Sequence, residues 1–236
     1  MIKMAVYAVS DMHGCADVYH KIKKIIKPED TVYCLGDCGD RGKQPWETIK
    51  LVAKDPQFIY IKGNHEDMLA KALYQYFEAD LMDRDYYYLC VRNGGSATFY
   101  DASCENDPLG AAKVLNNLPT EYYYTNPEGK RICLCHAGFT GGRTWRDPKS
   151  KEHDLIWDRE HTFDPAGCFD VADFDVVIHG HTPIPFDFVD YDEFDGKAYF
   201  YCGGHKINID AGSYHSGQCI LFNLDTFESI TLDLNS

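Results

Sequence analysis

Five times along this chain a short apolar run stops at a cluster of Asp, Asn, His and Gly, and that recurrence limits the fold more than any other feature. Met4-Ala5-Val6-Tyr7-Ala8-Val9 breaks at Ser10-Asp11-Met12-His13-Gly14. Thr31-Val32-Tyr33-Cys34-Leu35 runs into Gly36-Asp37-Cys38-Gly39-Asp40-Arg41-Gly42, and Phe58-Ile59-Tyr60-Ile61 runs into Gly63-Asn64-His65-Glu66. Arg131-Ile132-Cys133-Leu134-Cys135 ends in His136-Ala137-Gly138, and Asp175-Val176-Val177-Ile178 ends in His179-Gly180-His181-Thr182-Pro183. Unbroken apolar runs of this length fit strands buried on both faces. Helical periods follow the first three: Val18, Ile22, Ile25 and Ile26; then Pro45, Trp46, Ile49 and Val52; then Met68, Leu69, Ala72, Leu73, Tyr76 and Phe77. Strand and helix alternating three times is β-α-β arithmetic, an α/β chain with its strand-end loops gathered on one edge.

From Ala79 to Pro127 the pattern changes to tyrosine-rich helices, with breaks at Asn93-Gly94-Gly95 and Pro108. Tyr86-Tyr87-Tyr88 and Tyr122-Tyr123-Tyr124 read as core-edge residues whose hydroxyls reach water, rather than as the lining of a groove. The tail is β-rich, with runs from Ala198 to Tyr201, Lys206 to Ile209, Gln218 to Leu224 and Ser229 to Leu232. No repeat or linker divides the chain, so one domain over residues 1–236 is expected. Asp187, Asp190, Asp192, Glu193 and Asp195 crowd one loop, but without the glycine and terminal glutamate of an EF-hand they read as a solvated acidic loop.

The formal net charge of −14 weighs against nucleic acid as a partner, and Lys21-x-Lys23-Lys24 is the nearest thing to a basic stripe. The first apolar run is too short for a signal segment, and none approaches the roughly 18 residues of a membrane helix. A cytoplasmic protein without a membrane partner is expected. The ten cysteines include no Cys-x-x-Cys pair, and reduced core or near-surface thiols are the expected state. Cys133 and Cys135, two apart in one run, should share a strand face.

Asp11, His13, Asp37, Asn64, His136 and His181 fall just past the five strands. Each alone has an ordinary explanation as a cap, a turn former or a core histidine. Together they form a carboxylate, imidazole and amide donor set without thiolate, which suits Mn²⁺, Fe or Zn²⁺ in an open site. One cation would take Asp11, His13 and Asp37; another would take Asp37, Asn64, His136 and His181. Asp37 would bridge two cations about 3.5–4 Å apart, a spacing used to neutralise phosphoryl oxygens and to make hydroxide near neutral pH. Manganese is the cation most expected in vitro.

These motifs, in this order over residues 4–214, resemble the calcineurin-like metallophosphoesterases, and most closely the phosphoprotein phosphatase branch with its small bacterial and phage serine/threonine phosphatases. Glu66 after Asn64-His65 resembles that branch, whereas nuclease relatives usually carry Asp there. The resemblance implies a two-sheet sandwich flanked by helices (α-β-β-α), with the site at strand C-terminal ends. It implies direct in-line attack on phosphorus by a hydroxide shared between two cations. His65 matches the family's general acid, Asp40 the carboxylate that orients it, and Arg41 a phosphate-gripping arginine. Arg159, in Trp157-Asp158-Arg159, matches a second such arginine, with Arg143 and Arg146 as competitors. Cys38-Gly39 stands where the family usually has larger apolar residues, so looser packing is expected there. His179 reads as a supporting or core residue. The substrates implied are phosphoproteins, chiefly at serine and threonine with phosphotyrosine open, or small phosphoesters. The alternatives are a symmetrical bis(5'-nucleosyl)-tetraphosphatase and an inactive metal-binding scaffold.

Overall fold

The computed structural model describes residues 4–78, 84–139, 148–159 and 174–235. Its strands, in chain order, are β1 (Val6–Val9), β2 (Thr31–Cys34), β3 (Phe58–Tyr60), β4 (Glu121–Thr125), β5 (Arg131–Cys135), β6 (Val176–His179), β7 (Tyr199–Tyr201), β8 (Lys206–Asn208), β9 (Gln218–Asn223) and β10 (Glu228–Asp233). Seven longer helices accompany them: α1 (Ala16–Ile25), α2 (Pro45–Lys54), α3 (Asn64–Phe77), α4 (Asp85–Arg92), α5 (Ser96–Ser103), α6 (Pro108–Asn116) and α7 (Pro148–Trp157).

The strands form two five-stranded mixed sheets, in the orders β10-β9-β1-β2-β3 and β4-β5-β6-β8-β7. Three neighbouring strands in each are parallel, β1-β2-β3 in the first and β5-β6-β8 in the second. In the first sheet Val9 lies beside Cys34 and Cys34 beside Tyr60, so three strands end level and their loops share one edge. The second sheet does the same through Leu134 beside Ile178 and His179 beside Asn208.

Strand alternation sorts the side chains into layers. Val6, Ala8, Tyr33 and Leu35 point toward Ile132, Leu134, Ile178 and Phe222 in the core between the sheets. The opposite face of the first sheet, with Val9, Val32 and Cys34, is covered by Val18 and Ile22 of α1, Ile49 and Val52 of α2, and Met68 and Leu73 of α3. On the outer face of the second sheet, Cys133, Cys135 and Val177 meet Leu155 of α7 and Phe139 from the loop after β5. Each fully buried Leu, Ile or Phe contributes about 1.5–3 kcal/mol. The result is the expected α-β-β-α sandwich, and Cys133 and Cys135 share a face as their spacing required.

Two expectations need correction. Tyr122-Tyr123-Tyr124 lies on β4, not in a helix, paired antiparallel with β5 at the edge of the second sheet. Consecutive tyrosines suit a pleated edge better than a helix, and the Tyr124 hydroxyl donates to Asp225 Oδ1 at 2.5 Å. The other exception to the sequence reading is Cys202, which is disulfide-bonded, while Cys15, Cys34, Cys38, Cys90, Cys104, Cys133, Cys135 and Cys219 are free thiols. Cys168, like Arg143, Arg146 and residues 79–83, lies outside the described residues. Among those described, no helix is long and apolar enough to cross a membrane.

Candidate active site

The loops after β1, β2 and β3 bring the first set of ligand candidates together. Asp11 follows β1, bonded to the Ser10 hydroxyl at one oxygen, which also accepts the His181 backbone N–H at 3.0 Å. Its other oxygen stands 3.9 Å from His13 Nε2. His13 Nδ1 faces the Gly39 carbonyl at 3.0 Å, so that nitrogen carries the proton and Nε2 presents a lone pair inward. Asp37 Oδ2 is 3.7 Å from that Nε2.

The same Asp37 oxygen is shared with the second set. It lies 3.4 Å from His136 Nε2, which also faces Asn64 Oδ1 at 2.9 Å and His181 Nδ1 at 3.1 Å. His136 Nδ1 faces the Leu35 carbonyl at 2.8 Å and so holds that ring's proton. With that ring neutral, acceptors therefore point at acceptors. The buried His181 Nε2 finds no hydrogen-bond partner among the described residues. Crowded lone pairs of this kind fit a cation, and their carboxylate, imidazole and amide chemistry fits a divalent one. His13, Asp37 and His65, and separately Asp37, His136 and His181, present ligand atoms all within 4.8 Å of one another. The first trio takes in His65 where the sequence pointed to Asp11; the two histidines differ at Nδ1, which faces the Asp40 carboxylate in His65 and the Gly39 carbonyl in His13.

Backbone and charge both bear the marks of this convergence. Asp11, His13, Asp37, Asp40, Arg41 and His181 all have positive φ, a conformation that non-glycine residues adopt only when their surroundings impose it. A Cβ on Gly63 would stand 2.2 Å from Asp37 Oδ1, and one on Gly180 would stand 2.1 Å from Asp11 Oδ2, so only glycine admits the carboxylates there. Burial opposes ionisation of Asp37, yet His136, His65 and His13 hold its carboxyl well below the usual carboxylate range. Burial also opposes charge on His136, but Asp37 outweighs it and pushes the imidazolium up to about 10. The cluster stabilises added positive charge at its centre.

His65, in the first turn of α3, lies beside these groups. Its Nδ1 lies 2.5 Å from Asp40 Oδ2, and Arg41 Nη2 stands 3.1 Å from its Nε2. Burial lowers the affinity of His65 for a proton, but Asp37 and Asp40 together raise it above the ordinary histidine value. Arg41 Nη1 is 2.8 Å from His13 Nε2, so one guanidinium spans both histidines. Arg159 Nη2 donates to the His181 carbonyl at 3.2 Å, which sets Arg159 at the rim. His179 turns away, with Nε2 2.7 Å from the Tyr201 hydroxyl. All ten sequence-predicted site residues thus lie around one spot.

Glu66 escaped the sequence reading as a site residue. Its buried carboxylate accepts from the backbone N–H of Asp37 (2.8 Å), Cys38 (3.0 Å) and Gly63 (2.9 Å) and from the Tyr60 hydroxyl (2.7 Å). Its place three residues after Gly63, the acidic position of a capping box, was the signal available. Asp210, buried past β8 with its oxygen on the Gly212 N–H at 2.8 Å, was signalled only by an apolar run breaking at Asp. Cys38-Gly39 does not loosen the packing. Cys38 is fully buried, and a Cβ on Gly39 would meet Ile49 Cδ1 at 2.7 Å, so a neighbouring side chain fills the space.

Residues 4–207 match the family described as calcineurin-like phosphoesterase. The chain belongs to that family. Serine/threonine-protein phosphatase 2 of Salmonella typhimurium is 25% identical to this calcineurin-like phosphoesterase over 226 residues, 93% of this chain and 92% of that protein. A symmetrical bis(5'-nucleosyl)-tetraphosphatase of Xanthomonas campestris pv. campestris is 33% identical over 67 residues, 27% of this chain and 21% of the other. The structure of a protein serine/threonine phosphatase from Saccharomyces cerevisiae superposes with a TM-score of 0.64 at 15% identity, covering 97% of this chain and 79% of that one. The last likeness is one of fold. As a calcineurin-like phosphoesterase, the chain is a phosphoester hydrolase with candidate residues for divalent metal.

Proposed function

We propose that this hydrolase is a dinuclear-metal phosphomonoesterase of the phosphoprotein phosphatase type, releasing phosphate from phosphoserine and phosphothreonine, with phosphotyrosine as a further substrate. The observation that carries this reading is His65, held 2.5 Å from Asp40 on one side and 3.1 Å from Arg41 on the other, beside the convergent ligands. Asp11, His13 and Asp37 would hold one cation, and Asp37, Asn64, His136 and His181 the other, with Mn²⁺, Fe or Zn²⁺ all suited to the donors. When bound, such a pair neutralises phosphoryl oxygens and lowers the pKa of a coordinated water.

The chain's own groups do the rest. Arg41 and Arg159 bind the phosphoryl oxygens, for which the planar guanidinium fork is shaped. Asp40 accepts at Nδ1 of His65, fixing the ring so that Nε2 faces the site. From Nε2, His65 gives its proton to the departing seryl or threonyl oxygen, a step that contributes roughly 10²–10⁴-fold in rate. An inert metal-binding scaffold would need neither this acid nor this clamp.

Metal-loaded protein should release phosphate from phosphoserine and phosphothreonine peptides with a higher kcat/KM than it shows for diadenosine tetraphosphate. The 33% identity to a symmetrical tetraphosphatase over 67 residues keeps that second reading in view. Cleavage of diadenosine tetraphosphate to two ADP much faster than any phosphopeptide would replace the first reading with the second. The same relatives support phosphoesters as the partners of the site.

A further inference from the structure

Asp40 is gripped from a part of the chain that no motif describes. Helix α5 begins at Gly95-Ser96-Ala97-Thr98, and Thr98 is fully buried against Asp40. The Asp40 backbone N–H donates to Thr98 Oγ1 at 3.1 Å, and the Thr98 hydroxyl returns a short hydrogen bond to Asp40 Oδ1. The other carboxylate oxygen is the one that faces His65. Asp40 has a φ of +66°, so its backbone is held where a non-glycine residue does not settle unaided. Neighbouring residues extend the grip. The Gly94 carbonyl accepts from the Arg41 N–H at 3.2 Å. A Cβ on Gly95 would stand 3.0 Å from Asp40 Oδ2, and one on Gly39 would stand 3.3 Å from the Thr98 methyl.

We propose that Thr98 is a positioning residue for proton donation: its hydroxyl fixes the Asp40 carboxylate so that the His65 ring stays aimed at the leaving oxygen. Asp40 has two oxygens, and holding Oδ1 on Thr98 leaves Oδ2 one place to point. Without the hydroxyl, Oδ1 is a buried acceptor without its donor and the Asp40 N–H loses its acceptor, so the carboxylate turns to regain partners. Through Thr98 the tyrosine-rich helical segment shapes the chemistry as well as the surroundings of the site. This inference rests on the reading of His65 as the proton donor.

Two substitutions separate the functions of the side chain. T98V keeps the shape and removes the hydroxyl; T98S keeps the hydroxyl and removes the methyl. In metal-loaded full-length protein, T98V should lower kcat on a phosphoserine peptide about 10–100-fold but on p-nitrophenyl phosphate only about threefold, because a better leaving group needs less protonation. KM and metal content should stay near wild type, and T98S should recover most of the loss. In an H65N background T98V should cost nothing further, because the route through His65 is already closed. Equal losses on both substrates, a T98S as impaired as T98V, or an undiminished T98V effect in H65N would overturn the proposal. If T98V is insoluble, Thr98→Ala enters the same comparisons. If H65N itself loses equally on both substrates, the acid role of His65 fails and Thr98 with it. A selective H65N beside an unselective T98V removes Thr98 alone.

Discussion

Each sheet sends three adjacent parallel strands toward the site, β1-β2-β3 in the first and β5-β6-β8 in the second, yet they deliver different things. The first sheet brings Asp11, His13, Asp37, Asp40, Arg41, Asn64 and His65; the second brings His136 and His181. Behind the first sheet stands a deep outer layer drawn from all six helices α1 to α6, whereas the described outer layer of the second is Phe139 and Leu155 against Cys133, Cys135 and Val177. The positive-φ positions follow the same division: five of the six site residues in that conformation sit on first-sheet loops, and His181 is the sixth. Strain persists where packing over-determines the backbone. The two second-sheet contributions take their bearings from the first, His136 from the Leu35 carbonyl and His181 from the Asp11 carboxylate. The first sheet is the frame and the second is registered on it.

Removing the residue common to both halves should do the most damage. Asp37→Ala is expected to leave less than one cation per chain and to cut phosphate release about 10³-fold or more, about 4 kcal/mol of barrier at 1.36 kcal/mol per decade. Elemental analysis and turnover on a phosphopeptide check both.

Next come substitutions that divide the halves. His136→Ala or His181→Ala should leave one cation, held by Asp11, His13 and Asp37, with activity lowered roughly 10²-fold. Loss of both cations on removing either second-sheet histidine would break the comparison, because the first half would then not stand alone.

A smaller effect is expected from the residue that braces the first sheet's loops. Glu66→Gln places an amide N–H₂ against two donors where a carboxylate oxygen stood, an uncompensated contact worth about 1–3 kcal/mol. For a chain of this size each kcal/mol is roughly 2–4 °C in Tm, which differential scanning calorimetry resolves. An unchanged Tm would mean that the loops are held by something else.

The smallest expected effect lies outside the site, on the outer layer of the first sheet. Burial raises the Asp55 carboxyl, but Lys23, the Gln57 N–H and Tyr19 outweigh it and set its pKa below the ordinary value. A depressed folded pKa contributes stability above the ordinary carboxylate range and loses it as pH falls through the folded value. Asp55→Asn should therefore flatten the acid limb of a Tm-against-pH curve slightly and leave metal content untouched.

The frame was the legible part of the sequence. Apolar runs broken by Asp, Asn and His located strand ends because a strand buried on both faces has no other way to read. Strand β4 was missed because Tyr122-Tyr123-Tyr124 shows neither alternation nor an apolar run; pairing with β5 at a sheet edge decides its conformation. The ligand candidates were visible as residue types at strand ends. Their support was not: Thr98 reaches Asp40 from 58 residues away through tertiary packing that no local pattern encodes. Glu66 lay between these cases, since its capping position could be read but its four hydrogen bonds could not.

The most direct test of a shared aspartate between two half-sites is anomalous diffraction from crystals grown with manganese. Two peaks should appear, one among Asp11, His13 and Asp37 and the other among Asp37, Asn64, His136 and His181, with Asp37 ligating both. A single peak, or two that Asp37 does not join, would contradict the account.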